Sequence, residues 1–349
     1  MNFNLDCAVW ETTLNCNLNC LHCGSKAGYK RRSELNTKEA LKLCKDLAEL
    51  NCFNVCLMGG EPFLRKDWLK IAKEVKNLGM ELSLVSNGLI LDKFLNDLIE
   101  LEPYVVGVSI DGTSKTHNKI RGLNNSFEKA FESLTLMREN DIEATAITTV
   151  HKLNFKDLPA LLDLFLGRGL GWQIQLAIPI GRFNKKYLLS EEEFYSVALF
   201  MTSSRIKHFG EISIAGGHCF GYNSRFLPNA KWNGCQAGIN VIGIESNGDI
   251  TGCLSMGGGF VEDNIRNKSL IDIWNDENAF SYNRNFDKNK LGENCKDCKY
   301  WARCKGGCNA TSYSLTSKFH NDPYCFFKIE NNFLQKGSLL DKLLLKISK

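Results

Sequence analysis

Over the first two-thirds of the chain, short apolar, β-branched runs take turns with longer stretches whose apolar positions recur at helical spacing. The runs at 7–14, 53–58, 82–86, 105–110, 144–150 and 172–178 predict strands, because a strand covered by helices on both faces is apolar almost throughout. The segments 37–51 and 67–78, and those following Asp92, Ser126 and Lys156 and opening at Ser190, predict helices. Ser190 with Glu193 spells a capping box, in which the two side chains close first-turn donors reciprocally. Strands that alternate with helices of this length imply βαβ units and a parallel sheet. Repeated along 1–210, they predict an α/β fold: a partial (β/α)6 barrel of the TIM type.

From about Glu211 the periodicity dissolves into Gly, Asn, Asp and Cys, which predicts a second domain organised by something other than a large core. The expected division is 1–210 barrel, 211–234 bridging segment, 235–330 small cysteine-rich α+β domain and 331–349 C-terminal helix. Leucines at helical spacing with interleaved lysines from Ser338 to Ser348 are expected to pack on the body of the protein.

Composition changes this picture at one point. The chain has 349 residues with 44% hydrophobic and 23% charged, ordinary values that exclude disorder and fibrous architecture, but it carries 15 cysteines. An odd number leaves one thiol over in any all-disulfide scheme, and a chain this long buries a core without covalent staples. No apolar run approaches a membrane span, and the N-terminus has neither the basic start nor the apolar stretch of a signal peptide, so a cytoplasmic protein is expected. In a reducing compartment, clustered cysteines point to metal or catalysis. The net charge of +4, without a basic tract, argues for neither nucleic acid nor membrane as partner.

Three cysteines, Cys16, Cys20 and Cys23, follow the first predicted strand, at the end where barrel enzymes act. Within so short a segment they wrap one centre if they share it, and three thiolates leave a coordination position open. By themselves they fit zinc, with His22 as an extra ligand, or an iron-sulfur cluster. The second strand ends in Gly59-Gly60-Glu61-Pro62: glycines admit close approach of a ligand, proline stiffens the turn, and Glu61 can balance an ammonium. Asn87 closes strand three, and Ser109 and Asp111 close strand four; Asn-Gly and Asp-Gly are also common turn formers. Arg121 and Arg182 are candidate carboxylate clamps, or else solvated surface arginines. Cys7, Cys44, Cys52 and Cys56 read as small apolar residues, and His151 and His208 as surface or satisfied histidines.

The triplet Cys16, Cys20, Cys23 together with Gly59-Gly60-Glu61-Pro62 resembles the radical S-adenosylmethionine (SAM) superfamily. The resemblance implies a 4Fe-4S cluster on the three cysteines that chelates SAM through its amino and carboxylate groups. It places Gly59, Gly60, Glu61, Pro62, Asn87, Ser109, Asp111 and Arg121 as cofactor-binding candidates. Farther on, Cys235, Cys253, Cys295, Cys298, Cys304, Cys308 and Cys325 resemble the seven-cysteine pattern of SPASM domains, which house two auxiliary 4Fe-4S clusters. By position, Cys235, Cys253 and Cys308 would serve the first, and Cys295, Cys298, Cys304 and Cys325 the second. For the missing fourth ligand of the first, Cys219 is the candidate, against an open iron or a non-cysteine ligand. A pair of zinc knuckles is the plain alternative for this region.

The implied reaction is reductive cleavage of SAM, fed by a flavodoxin- or ferredoxin-type reductant, to a 5′-deoxyadenosyl radical that removes hydrogen from substrate. Electrons then leave through the auxiliary clusters. The runs around Cys23, Cys235 and Cys253 resemble maturases of ribosomally made peptides, which implies a precursor peptide as substrate and an oxidative modification such as a side-chain crosslink. Alternatives within the superfamily are oxidation of a small molecule in cofactor or tetrapyrrole synthesis, and anaerobic sulfatase-type maturation. For the last, Leu254 stands where an acidic residue is usual. With 15 residues ahead of Cys16, leader recognition is expected from the barrel, the SPASM region or a separate protein.

Overall fold

A computed structural model describes residues 3–217, 220, 223–227, 232–256 and 259–335. The barrel half runs β1 (Cys7–Thr13), α1 (Thr37–Glu49), β2 (Asn54–Gly59), α2 (Trp68–Asn77), β3 (Glu81–Ser86), α3 (Leu95–Leu101) and β4 (Val105–Ser109). It continues through α4 (Ser114–Arg121), α5 (Ser126–Glu139), β5 (Ala144–Val150), α6 (Leu158–Phe165), β6 (Gly171–Leu176) and α7 (Glu191–Lys207). Consecutive strands β1 to β6 pair parallel, each with the next. Val106, Gly107 and Val108 are buried in succession, the mark of a strand covered on both faces and the reason its sequence does not alternate. Trp10 and Trp172 are wholly buried in this core. Ser190 caps α7 as its sequence predicts, accepting from Glu193 N at 3.1 Å while Glu193 returns to Ser190 N at 2.8 Å.

The sheet does not stop at six strands. Beyond α7, β7 (Ser213–Gly216) pairs parallel with β6, inside the stretch expected as a bridge. At the opposite edge β8 (Val241–Ile244), from the cysteine-rich region, pairs parallel with β1, from Cys7↔Val241 to Trp10↔Ile244. Antiparallel β9 (Asp249–Thr251) and β10 (Val261–Asn264) complete the order β10-β9-β8-β1-β2-β3-β4-β5-β6-β7. These late strands are too short for periodicity to reveal, and α4 is a strongly polar helix with little apolar pattern.

The rest of the cysteine-rich region is short helices and loops: α8 (Leu270–Asn275), α9 (Ser281–Arg284), α10 (Trp301–Cys304) and α11 (Asn309–Thr316). Helix α12 (Phe326–Gln335) returns to the barrel, where Phe326 stacks on Phe194 of α7 at 5.1 Å and Tyr195 Oη donates to Glu330 at 2.9 Å. Cys219 and the leucine-rich stretch from Ser338 lie outside the described residues.

The seam between the two halves holds a buried carboxylate. Glu11, on β1 and 3% exposed, accepts from Ser246 Oγ at 2.9 Å and from Arg31 Nη2 at 3.1 Å; Arg31 also reaches Glu245 at 2.9 Å. Among the described residues, no helix is long and apolar enough to cross a membrane.

Candidate active site

The loop after β1 carries Cys16, Cys20 and Cys23, and a dense set of backbone contacts shapes it. Asn15 bridges Gly28, Cys16 N donates to Gly28 O at 3.2 Å, and Gly28 N donates to Leu14 O at 2.9 Å. Glu34 ties down its start, accepting from Thr13 Oγ1 and Leu14 N, each at 2.9 Å. The Gly59-Gly60-Glu61-Pro62 turn is laid directly against this loop: Gly60 N donates to Thr13 O at 2.7 Å and Glu61 N to Asn15 O at 2.8 Å. A Cβ on Gly60 would stand 2.3 Å from Asn15 O, so this glycine makes room for the cysteine loop itself, a tighter requirement than approach of a ligand.

Glu61 is fully buried and held by the end of β3, accepting from Ser86 Oγ and from Asn87 N, both at 2.9 Å. Burial outweighs these bonds and pushes its carboxyl up to about 7. The Asn87 side chain donates to Asn17 Oδ1 at 2.7 Å and lies 3.9 Å from Cys16 Sγ, so it braces the cysteine loop.

Asp111 is fully buried, and its carboxylate is wholly engaged within the protein. It accepts from Arg121 Nε at 2.7 Å, lies 2.5 Å from Arg121 Nη2 and 3.1 Å from His22 Nε2, and accepts from Thr149 N at 2.9 Å. Burial opposes the charged form, but Arg121 and His22 overcome it and hold the carboxyl well below the usual range. Arg121 reaches Cys20 Sγ at 3.7 Å through Nη1, which links Asp111 to the thiol loop. His22 thus turns Nε2 to Asp111, while its Nδ1 is buried without a partner among the described residues. Ser109 ends β4 half-buried, and its hydroxyl bonds nothing among the described residues.

Arg182 is neither a carboxylate clamp nor a solvated arginine. Its side chain donates to Cys20 O at 3.0 Å and Ala27 O at 2.8 Å, and its backbone N–H to Cys23 O at 2.9 Å, stapling the loop after β6 to the cysteine loop. His151 also departs from the reading of a satisfied histidine. It is 1% exposed just past β5, its ring lies 5.6 Å from His22 and 5.4 Å from Phe183, and Nε2 has no partner among the described residues. Burial, then His22, pushes it down to about 4. Its place immediately after a barrel strand was the available signal. His208, by contrast, makes a surface contact with Glu211 at 3.5 Å.

The thiols fall into three groups. Cys16 has Cys20 and Cys23 as neighbours; burial pushes Cys16 up to about 11 and raises Cys20 against the pull of Arg121. Cys235, Cys253 and Cys308 gather in the C-terminal region, where burial and the adjoining Cys308 push Cys235 up to about 12. Cys295, Cys298, Cys304 and Cys325 line a cavity of about 200 Å³, together with Trp301, Asp322 and Phe327. Thiolates gathered in buried surroundings are costly without positive charge beside them, so each group fits an iron-sulfur cluster. Among the described residues, no three His, Cys, Asp or Glu side chains close on a single ion. Cys7, Cys44, Cys52 and Cys56 stand outside these groups; Cys7 neighbours Cys52 and Cys56, and Cys44, Cys52 and Cys56 are each pushed up to about 12 chiefly by burial.

A partial parallel barrel with buried carboxylates and an open set of thiols at its strand ends defines a cofactor-dependent barrel enzyme, extended by a cysteine-rich domain. The Radical SAM superfamily model matches residues 10–165, and the SPASM iron-sulfur cluster-binding domain matches 235–299, so the chain carries a radical SAM domain followed by a SPASM domain. The two domains imply SAM and iron-sulfur clusters as cofactors. AdoMet-dependent heme synthase of Methanosarcina barkeri is 27% identical, over 92% of this chain and 96% of its own length. PqqA peptide cyclase of Bradyrhizobium diazoefficiens is 24% identical, over 90% of this chain and 84% of its own. Streptococcus suis SuiB bound to S-adenosylmethionine shares the fold, with a TM-score of 0.74 at 18% identity, covering 93% of this chain and 76% of that one.

Proposed function

We propose that this chain is a radical SAM/SPASM peptide maturase that oxidises side chains of a precursor peptide, for example by crosslinking them. The observation that carries the net oxidation is the pair of thiol groups beyond the barrel, in a domain whose β8 joins the sheet edge at β1, beside the SAM loop. Two further clusters there give electrons from the substrate a way out, so the expected inventory is three 4Fe-4S clusters. The peptide cyclase relative supports a peptide as substrate.

Within this reading, Cys16, Cys20 and Cys23 hold the SAM-binding cluster, Glu61 faces the SAM ammonium, and Arg121 with Ser109 faces its polar groups. Bound together, SAM and the cluster supply a 5′-deoxyadenosyl radical able to take hydrogen from an unactivated carbon. Asp111 orients Arg121 and His22, Asn87 and Arg182 hold the thiol loop, and the buried ring of His151 helps to exclude water.

A second reading, oxidation of a tetrapyrrole, is favoured by the heme synthase relative. Anaerobic assays separate the two. The reconstituted enzyme, with dithionite and SAM, is given short peptides encoded beside its gene and, separately, tetrapyrroles. The peptide reading expects 5′-deoxyadenosine formation to rise with one of the peptides and that peptide to lose two hydrogens. Turnover of a tetrapyrrole with every peptide left unchanged in mass would overturn it.

A further inference from the structure

The C-terminal domain holds a buried hydroxyl that its fold leaves unused. Tyr282 sits in α9 with its ring stacked on Phe319 at 4.8 Å and tilted against Phe260 at 6.4 Å. Its Oη is buried and makes no hydrogen bond among the described residues. An unpaired buried hydroxyl forfeits its bonds to water and gains nothing in return, so each such group asks for a missing partner.

Several contacts say where that partner lies. A Cβ on Gly252 would stand 2.0 Å from Tyr282 Oη, so the hydroxyl occupies the space beside the residue that precedes Cys253. Burial, then the Cys235 and Cys253 thiols, then Glu262, push the phenol up against the pull of Arg284. The backbone is fixed in this register: Asn283 Nδ2 donates to Cys235 O at 2.7 Å and Ala237 O at 2.8 Å, and His320 Nε2 lies 2.6 Å from Tyr282 O. The aromatic ring is clamped, and its one polar atom is delivered to the Cys235 and Cys253 side of the first auxiliary site.

We infer that the Tyr282 hydroxyl donates a hydrogen bond to sulfur of the first auxiliary cluster and thereby raises its reduction potential. This rests on the reading that Cys235, Cys253 and Cys308 hold a cluster. A donor to sulfur stabilises the added negative charge of the reduced state, one of the recognised ways a protein sets such potentials. The hydroxyl acts through the cluster, so Tyr282 is a positioning residue for electron transfer and touches no substrate.

The test uses full-length reconstituted enzyme and its Tyr282→Phe variant, which keeps the ring stack and deletes the hydroxyl. Redox titration followed by EPR is expected to move the first auxiliary signal to more negative potential in Y282F, with iron content and the SAM-cluster signal unchanged. In the wild type exchanged into D2O, pulsed EPR is expected to detect a deuteron coupled to that cluster which Y282F lacks. An unmoved potential overturns the inference. Loss of the cluster's iron in Y282F also overturns it, because the hydroxyl would then be a ligand. Cys253→Ser identifies the signal without touching Tyr282; if it removes neither iron nor any EPR signal, the underlying cluster reading fails instead.

Discussion

Glu61 shows how a single residue carries both a cost and a use. Its carboxyl sits at about 7 in the fold against 4.5 in the unfolded chain, chiefly through burial. Between those values the native state holds a proton that the unfolded state has released, so stability falls as pH rises through this window and stays lowered above it. The penalty at pH 8 is roughly 3 kcal/mol. Urea unfolding of cluster-free protein should show Glu61→Gln matching the wild type near pH 4 and exceeding it by about that amount at pH 8. An ammonium seated beside the carboxyl would favour the charged form. Gly60 has the opposite character, because its use is purely steric. Gly60→Ala drives a methyl into Asn15 O and is expected to cost about 1–3 kcal/mol and to lower iron content, measured per chain after reconstitution.

At the scale of elements, the cysteine loop is a surface stitched to several strand ends rather than an autonomous motif. Gly60 and Glu61 hold it from β2, Asn87 from β3, Arg121 from α4 and Arg182 from beyond β6. Arg182→Ala removes two side-chain bonds to loop carbonyls, bonds from a charged donor worth about 1.5–3 kcal/mol each. The expected outcome is selective loss of about four irons from a total of about twelve, with the auxiliary EPR signals retained. Lys at this position should not restore them, because it lacks the planar fork that spans both carbonyls. The cysteine and Gly59-Gly60-Glu61-Pro62 motifs were legible in the sequence because adjacent residues carry them. The staples were not: Arg182 lies 162 positions from Cys20, and chain pattern says nothing about a partner so distant. For the same reason chain pattern does not show that the Asp111 carboxylate accepts from Arg121 and Thr149 and lies beside His22.

At the scale of the whole molecule, the two domains share one sheet. β8 covers the edge that β1 would otherwise expose, and the Glu11, Arg31, Glu245 and Ser246 cluster seals the junction. A chain ended after Gly217 leaves β1 as a bare apolar edge, a template for aggregation. Such a fragment is expected to be insoluble or to form concentration-dependent oligomers by light scattering, and a well-behaved monomer would refute a structural role for β8. Glu11→Ala leaves Arg31 and Ser246 without their shared acceptor and should destabilise the full chain by about 1–3 kcal/mol.

The sequence by itself determined the alternation of strands and helices, the capping of α7, and the Cys16, Cys20, Cys23 triplet, since each is written in residues near one another; the division of the C-terminal cysteines into two sets came from the resemblance to SPASM domains. Tertiary structure alone decided that β7 and β8 extend the sheet at its two ends and that the glycine turn seats the cysteine loop. It also decided that Arg182 and Asp111 bond groups of the protein itself and that a ring nitrogen of His151 and the hydroxyl of Tyr282 are buried without a partner among the described residues. Local pattern encodes which face of an element is apolar; which distant group meets a side chain depends on how the elements are stacked, and only the folded chain fixes that.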